Sequence, residues 1–516
     1  MTGGGLLVLV AYGSQNVILS GNPQMTFFYK VFRRYSHFAI ENVSQQMDGP
    51  DQLFYDQPIK IRTKIERIGD LMSDLYFSFQ IPDIYSKYIS PSSRTYQYEF
   101  QWANYLGCAI IANAAFFIGG QKMQEFDGSY LLSHALLDYP IDKLQKWKSL
   151  VGQTPELTNP AEGLYAGGLS QTGYPSVIQD TSRALGAQIN RPSIFGQTIT
   201  VPLPFWFTDM GNALPLVGLQ YHDCEVQITL NPINQLYTVL DASGYRVRPG
   251  VQMTATRNQI RSNIPEYSNI LDASGEIRAF LTDVGAVVPA LNTWNLVPRI
   301  QATYVYLNEE ERTIFATTPL SYLVHQVTPY PFPQLYNRQT LDLQTHNPVE
   351  RLLFVQRRSD SIPFRNAFAN FTNWWNFPSA PYMPPVNTVP LLANAYSSGL
   401  YLPFAQVGIL QAMRVLCDGN EIQEEKPISY FTKINPYKYT DGNPNELIPV
   451  YTFTLGSPST QPMGSLNTSR VRVFQVEVAP YPLNPDTTYV YDLSIYVESI
   501  NFVEIAGGMG GLKYAL

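Results

Sequence analysis

The chain of 516 residues is too long for one hydrophobic core, so its length predicts two domains of roughly 200 to 280 residues. Its net charge of −7 argues against direct binding to a nucleic-acid backbone, and we expect none. Charged residues make up only 15% of the chain, while 35 Tyr and 27 Phe enrich it in aromatics. That combination is typical of short strands and of the cores of protein interfaces.

An N-terminal segment, residues 1–26, precedes the strand patterns. Its apolar run, Leu6 to Ala11, is far shorter than the roughly 20 residues that span a membrane. No Lys or Arg precedes the run as in a signal peptide, so we expect it to be neither a membrane anchor nor an export signal. Lys30, Arg33 and Arg34 are the only charges of the first 40 residues. They form a patch that either faces an anionic partner or stays solvated.

Strict alternation of apolar and polar residues predicts the strands. It occurs in the runs 74–81, 223–230 and 492–497, and it is typical of half-buried antiparallel strands. In the run 471–478 the apolar phase slips between Val473 and Phe474, which predicts a β-bulge. These runs favour an all-β fold made of antiparallel sandwiches.

Helical patterns are few and short. The segment 127–152 predicts two helices with a break at Pro140, because proline disrupts a helix interior. Glu309-Glu310-Glu311-Arg312 predicts a short helix whose N-terminal end is acidic. We assign this helix to a connecting segment, residues 309–319.

A short pattern that occurs twice predicts two homologous halves. The first copy runs from Gly120 to Ser129-Tyr130, and the second runs from Gly419 to Ser429-Tyr430. Further pairs keep the same order along the chain: Thr26-Phe27-Phe28 with Thr313-Ile314-Phe315, Phe38-Ala39-Ile40 with Tyr322-Leu323-Val324, and Pro215 with Pro462. We therefore expect Gly120 to superpose on Gly419, and Pro215 on Pro462.

Three long insertions make the halves unequal, at residues 153–196, 231–298 and 359–400. The last is dense in aromatics and prolines and includes Trp374-Trp375 and Phe377. Such side chains are too apolar to stand in water unpaired. We expect the insertions mainly at the outward end of the domains and in contacts between subunits.

No catalytic motif is present: the sequence lacks Gly-x-Ser-x-Gly, His-Glu-x-x-His, Cys-x-x-Cys and a phosphate-binding loop. His222-Asp223 is the only close acid–base pair, and adjacent strand residues point to opposite faces, so we expect no dyad. We predict no catalytic, cofactor or metal site and no enzyme. Glycine runs near both ends predict flexible termini. The three widely spaced cysteines predict free thiols: Cys108, Cys224 and Cys417.

Several distinctive blocks are spread along the whole chain. They are Leu9-Val10-Ala11-Tyr12-Gly13-Ser14-Gln15, Gly21-Asn22-Pro23-Gln24, Arg33-Arg34-Tyr35, Gly69-Asp70-Leu71, Gly119-Gly120-Gln121, Leu214-Pro215-Leu216, Leu219-Gln220-Tyr221-His222, Glu311-Arg312-Thr313 and Gly508-Met509-Gly510-Gly511-Leu512. Together they resemble the major capsid proteins of nucleocytoplasmic large DNA viruses, in particular those of chlorella viruses. The three insertions match nothing in that family.

The resemblance implies two consecutive eight-stranded antiparallel jelly rolls with long loop insertions and few short helices. We assign the first roll to residues 27–308, the second to 320–506 and a Gly-rich tail to 507–516. It also implies a homotrimeric, pseudo-hexagonal capsomer that tiles the icosahedral shell of a large double-stranded DNA virus. Neighbouring capsomers, minor capsid proteins and penton proteins are the implied partners.

An inner membrane is implied as well, and we expect residues 1–26 to reach towards it beneath the capsomer. The expected location is the outer capsid of the virion, after synthesis and assembly in the host cytoplasm. Two alternatives remain at this stage. A duplicated sandwich also occurs in lectin-like carbohydrate-binding proteins and in cupin-like enzymes. A cupin would need a tight His/Glu metal cluster, and a receptor-binding spike would be an exported or fibrous chain.

Overall fold

A computed structural model of the chain describes residues 3–30, 32–88, 99–166, 173–178, 191–240, 246–254, 266–269, 275–283, 286–373, 408–442, 447–457, 461–483 and 489–514. Much of the three insertions lies outside these ranges, and so do Trp374, Trp375 and Phe377, whose expected position is not tested.

Eighteen of the described strands lie in the first half of the chain. They are β1 Phe38–Gln46, β2 Gln52–Phe54, β3 Ile59–Lys64, β4 Leu71–Gln80, β5 Lys87–Tyr88, β6 Phe100–Trp102, β7 Ile111–Ile118, β8 Gln121–Phe126, β9 Val177–Ile178, β10 Thr198–Pro202, β11 Leu214–Pro215, β12 Cys224–Leu230, β13 Tyr237–Leu240, β14 Arg246–Val247, β15 Val251–Thr254, β16 Glu266–Asn269, β17 Thr293–Asn295 and β18 Arg299–Leu307.

The second half contains longer strands. They are β19 Leu320–Leu335, β20 Gln339–Asp342, β21 Pro348–Arg358, β22 Leu410–Cys417, β23 Asn420–Pro427, β24 Val450–Thr452, β25 Leu466–Asn467, β26 Phe474–Pro480, β27 Tyr491–Ala506 and β28 Met509–Leu512.

Both halves have the same sheet topology. In the first half the main sheets run β1-β18-β4-β10 and β3-β12-β7-β8, and in the second half they run β19-β27-β21-β24 and β20-β26-β22-β23. The short strand β11 pairs with β4, and β25 pairs with β21 in the same way. Each half is thus a jelly roll, here called roll 1 and roll 2, and the predicted all-β double jelly roll is confirmed.

The two central hairpins are equivalent residue by residue. Gly119-Gly120 joins β7 to β8, and Asp418-Gly419 joins β22 to β23. All four residues have positive φ, between 48° and 82°, which is the type I′ turn that suits the twist of a tight hairpin. Gly120 and Gly419 therefore occupy the same position, as the repeated pattern predicts.

A shared β-bulge aligns the two rolls further. In roll 1, β11 pairs Leu214 with Met72 on β4, and in roll 2, β25 pairs Leu466 with Val349 on β21. The next residue of each strand is a β-bulge, at which the pairing of β4 with β18 and of β21 with β27 shifts by one residue. Regular pairing continues with the first pair after the bulge. That pair is Asp74 with Thr303 in roll 1 and Arg351 with Glu498 in roll 2, so these positions are equivalent.

Nine α-helices are described, all of them short. They are α1 Gly4–Val10, α2 Ser14–Ser20, α3 Leu106–Ala109, α4 Gly128–Asp138, α5 Ile141–Leu150, α6 Pro155–Thr158, α7 Glu309–Thr317, α8 Ser361–Arg365 and α9 Asn435–Tyr439. A π-helix, Tyr430–Ile434, runs directly into α9. The two helices predicted around Pro140 are α4 and α5, and the acidic start predicted for the connecting helix is that of α7.

Three pairings inferred from the sequence are wrong. Pro215 is the second residue of β11, and the second residue of the equivalent strand β25 is Asn467. Pro462 lies four residues before β25 begins, so it is not the counterpart of Pro215. Thr313-Ile314-Phe315 lies in α7, whereas Thr26-Phe27-Phe28 lies in no helix or strand. The registers of β1 and β19 also align Phe38 with Leu323, one residue later than the sequence pairing.

The bulge predicted between Val473 and Phe474 is also wrong. β26 begins at Phe474, and the phase slip marks the start of the strand because Val473 already belongs to the preceding turn. Asp418 fixes this turn, since its carboxylate accepts hydrogen bonds from the backbone N–H groups of Arg472 and Val473 at 2.9 Å each.

Each roll encloses its own apolar core, and the alternating runs line it. Cys224, Val226, Ile228 and Leu230 on β12 are buried, and their intervening neighbours are partly exposed. On β27 the alternation fails at Tyr496, which is buried although it lies on the outer face. Roll 1 covers that face, which makes Tyr496 part of a junction between the rolls.

Candidate functional site at the junction between the rolls

A buried arginine of roll 2 holds the two rolls together. Arg351 lies on the outer face of β21 and is fully buried. Its guanidinium donates to both carboxylate oxygens of Asp138, at the end of α4 in roll 1, at 2.7 and 2.8 Å. It also donates to Glu498 on β27 at 2.7 and 2.9 Å. One cation thus bridges an acid of each roll in a bidentate geometry, which is the strongest form of such a pair.

Tyrosines and a histidine complete this network. Tyr130 on α4 donates its hydroxyl to Glu498 at 2.8 Å, and Tyr496 donates to Asp127 at 2.7 Å. The Nδ1 atom of His134 lies 2.7 Å from Asp138. Burial alone would raise the pKa of the Asp138 carboxyl, but Arg351 outweighs it and holds that pKa well below its usual range. The junction is therefore built for charged side chains.

A second contact brings two of the distinctive sequence blocks together. β28 folds back along β27 and lies against the loop Leu219–His222 of roll 1. The amide of Tyr221 donates to the carbonyl of Gly508 at 2.9 Å, and the Nδ1 atom of His222 lies 3.0 Å from the carbonyl oxygen of Gly510. A Cβ at Gly510 would lie 2.7 Å from a methyl of Leu219, so only glycine permits this approach.

Another pair of blocks meets at the start of β4. Asp70 accepts two hydrogen bonds from the guanidinium of Arg312 on α7, at 2.8 and 3.0 Å, and one from the amide of Leu307 at 2.9 Å. Burial raises the pKa of Asp70, and the bonds from Arg312 and Leu307 lower it by more, to a value below the usual range. This contact fixes the connecting helix against roll 1.

The C-terminal glycines are therefore not a flexible tail. Gly508, Gly510 and Gly511 belong to or border β28, and their small size lets this strand approach roll 1. Residues 507–514 therefore form a packed contact between the end of roll 2 and roll 1. The expectation of a flexible C-terminus is wrong because the glycines serve close packing rather than freedom of the backbone.

The acid–base pair considered from the sequence forms no dyad. Asp223 is exposed and binds Lys64 at 2.7 Å, while His222 faces Gly510. Cys108 and Cys224 are buried and Cys417 is partly exposed, and all three are free. Among the described residues, no group of three or more His, Cys, Asp or Glu side chains could hold a metal ion. Their helices also include none long and apolar enough to cross a membrane.

The N-terminal segment forms an exposed arm, residues 3–30 and 32–37, that belongs to neither sheet. Many large apolar side chains of this arm are 57–96% exposed: Leu6, Leu7, Val8, Leu9, Val10, Tyr12, Val17, Ile18, Leu19, Met25, Phe27, Phe28, Tyr29, Phe32 and Tyr35. Exposed apolar surfaces of this size are typical of sites that contact another molecule. Lys30, Arg33 and Arg34 add positive charge to it.

Sequence reasoning did not identify Arg351, Asp138 or Glu498. One signal was available, since Arg351 directly precedes the apolar run Leu352 to Val355, and arginine is almost never buried without a partner. The partners themselves lie 213 and 147 residues away in the chain and give no local signal.

Comparisons with known proteins agree with this architecture. The family model of the major capsid protein N-terminus matches residues 26–264, and that of the large eukaryotic DNA virus major capsid protein matches residues 311–511. The major capsid protein of Paramecium bursaria Chlorella virus 1 is 25% identical over 537 residues, with 99% of each chain covered. That of Phaeocystis pouchetii virus is 23% identical over 573 residues, again with 99% of each covered.

Solved structures show the same fold. A quasi-atomic model of the PBCV-1 virus capsid matches with a TM-score of 0.64 at 21% identity and covers 95% of this chain and 100% of its own. The Faustovirus major capsid protein matches with a TM-score of 0.62 at 14% identity, covering 96% of this chain and 94% of its own.

Proposed function

This chain belongs to the major capsid protein family of large eukaryotic DNA viruses, a family of structural proteins and not of enzymes, and we propose that it forms a homotrimeric, pseudo-hexagonal capsomer. Many such capsomers would tile the icosahedral shell of a virion. Neither the lectin-like nor the cupin-like alternative is favoured by the relatives.

The observation that carries the proposal is the head-to-tail union of two equivalent rolls. Roll 1 packs β8 against β19 of roll 2 and packs α4 against β21, and the ion pair between Arg351 and Asp138 lies in this contact. Such a contact between two unlike faces leaves one copy of each face unused, so further copies can add until a ring closes. Three chains supply six similar rolls, which is the outline of a hexagonal tile.

The arm is the second element of the proposal. We assign residues 1–26 to an inner-face segment, the rolls to 27–308 and 320–506, and the connection to 309–319. Within the range 27–308 the strands begin at Phe38, so the residues before it continue the arm. The arm would contact an anionic inner partner, either lipid headgroups or a minor capsid protein, through its apolar side chains and Lys30, Arg33 and Arg34. Neighbouring capsomers and penton proteins would be lateral partners, with assembly in the host cytoplasm.

Two measurements on the purified protein test the trimer. Sedimentation at micromolar concentration should give a stable trimer whose interfaces bury more than the roughly 2,000 Å² typical of permanent complexes. Electron microscopy should give hexagonal particles with three-fold symmetry. A stable monomer in sedimentation would refute the proposal.

A further inference from the structure

The strand β19 lies at the edge of its sheet and has 16 residues. It pairs with β27 on one side, and no described strand pairs with its other side. At about 3.3 Å per residue, the free edge is roughly 50 Å long. Near its start Leu323 and Val327 are buried, whereas Pro329, Pro331 and Pro333 are exposed. A free edge of this length is a template on which another chain can add a strand.

Charged side chains, which commonly prevent such addition, are missing from β19. Residues 320–337 include no Asp, Glu, Lys or Arg. The other described edge strands of six residues or more all carry exposed charges: Glu41 on β1, Lys60 on β3, Lys122 on β8 and Glu424 on β23. The edge of β19 therefore needs another kind of protection.

The composition of residues 328–335 makes this need greater. The segment is uncharged, and Thr328, Tyr330 and Phe332 all favour strands. Uncharged segments of six or seven residues with high strand propensity are those that stack into cross-β assemblies, provided that they contain no proline. The prolines at every second position are what separates this segment from that class.

The pairing of β19 shows where these prolines act. Its register with β27 is unbroken from Leu320 to Phe332, and Pro329 and Pro331 oppose Tyr496 and Ser494. Successive residues of a strand direct their backbone groups to alternate sides, and a proline fits a paired strand only where its nitrogen faces away from the partner. Pro329 and Pro331 therefore both remove a hydrogen-bond donor from the free edge.

A bulge continues the same protection towards the end of the strand. The register shifts between Phe332 and Leu335, and Gln334 has a φ of 63°. Pro333 has no N–H group, and the amide of Gln334 donates to the Asp492 carboxylate at 3.2 Å. Free donors are thus absent from the edge between Pro329 and Gln334, and the bulge adds twist that disfavours pairing with a flat strand.

We propose that Pro329, Pro331 and Pro333 block the free edge of β19 against strand addition by a second copy of this chain. Copies can then meet through the side chains of their faces and not through backbone pairing at this edge. The inference goes beyond the proposed capsomer, because it concerns a contact that the sequence prevents, and it holds whichever oligomer the chain forms.

Sedimentation of the full-length chain in a dilution series tests this block. The variant Pro329→Thr/Pro331→Thr/Pro333→Thr restores three N–H groups with a residue that favours strands. The concentration at which it forms species larger than those of the unmodified chain should be at least about tenfold lower. The variant Pro329→Lys/Pro331→Lys/Pro333→Lys is the matched control. It loses the same prolines, but its charges repel a second copy, so it should sediment like the unmodified chain.

Hydrogen exchange identifies the surface that associates. The new amides at positions 329 and 331 should exchange rapidly in the dilute threonine variant and become protected where larger species form. Thermal melting of both variants monitors folding. Unchanged sedimentation of the threonine variant, equal association of the lysine variant, or association without protection at these positions would each overturn the inference. An unmodified chain that sediments as a monomer would instead overturn the proposed capsomer and leave this test valid.

Discussion

Replacing Arg351 by methionine tests the junction between the rolls most directly. Methionine keeps much of the side-chain length and removes the charge, so the apolar packing of β21 suffers little. Asp138 and Glu498 then lose four hydrogen bonds from one guanidinium and remain as two buried carboxylates without a cation. Breaking a buried pair in this way typically costs about 3 to 5 kcal/mol. That cost is a large part of the roughly 5 to 15 kcal/mol that stabilises a typical protein.

The assay is urea unfolding followed by tyrosine fluorescence and circular dichroism. Because Arg351 couples two rolls, its loss should separate their unfolding into two transitions as well as lower the first midpoint. Arg338→Met is the matched control, since Arg338 binds Glu425 and Glu477 in a network at the surface and is half exposed. Solvent screening limits its effect to below about 1 kcal/mol. Equal shifts in the two variants would refute the role given to the junction.

The pH dependence of the same pair of proteins gives a second check. The folded-state pKa of Asp138 is lower than its unfolded value near about 3.9. The junction therefore contributes fully above about pH 4 and loses this contribution as the pH falls further. In Arg351→Met, the carboxyls of Asp138 and Glu498 stay buried without the guanidinium, and burial raises their pKa values. They therefore become protonated at a higher pH than in the unmodified protein, and protonation removes the cost of burying their charge. The stability gap between the two proteins should narrow as the pH falls from 7 to 4.

Three further predictions concern the other contacts. Gly510→Val should detach β28 from Leu219 and cost about 1 to 3 kcal/mol, as overpacking does, measured as a lower melting temperature. Asp70→Asn should destabilise the chain at pH 7, and this loss of stability should shrink as the pH falls below about 4, because Arg312 lowers the pKa of Asp70 and stabilises only its ionised carboxylate. Deleting residues 2–20 should spare the trimer, measured by sedimentation, and impair shell assembly, measured by electron microscopy.

Each of these predictions has its own control and contrary outcome. Gly275→Ala adds a methyl where nothing lies within 4 Å, so its melting temperature should not change. For Asp70→Asn, a loss of stability that is the same at pH 3 would show that the side chain acts through packing and not through its charge. If the truncated chain failed to trimerise or fold, the arm would belong to the core of the protein.

The local features of this fold follow from the sequence to a large extent. The alternation in Cys224 to Leu230, the break at Pro140 and the acidic start of the helix at Glu309 each depend on neighbours within a few residues, and the structure has all three. The Gly120 and Gly419 turns were also recognisable, because a type I′ turn needs residues that accept positive φ. Local chemistry therefore determined the elements and the duplication.

The features that the sequence analysis missed depend on distant contacts. Tyr496 is polar at its tip and lies on the solvent side of an isolated roll, so only the presence of roll 1 accounts for its burial. A run of glycines such as that around Gly510 looks the same in the sequence whether it forms a flexible backbone or lets a strand pack closely against a neighbour. Pro215 and Pro462 each lie four residues before a leucine, but this spacing does not make them equivalent. The strand pairing shows that Pro215 and Asn467 occupy the same position in the two rolls. Tertiary contacts decide each of these cases.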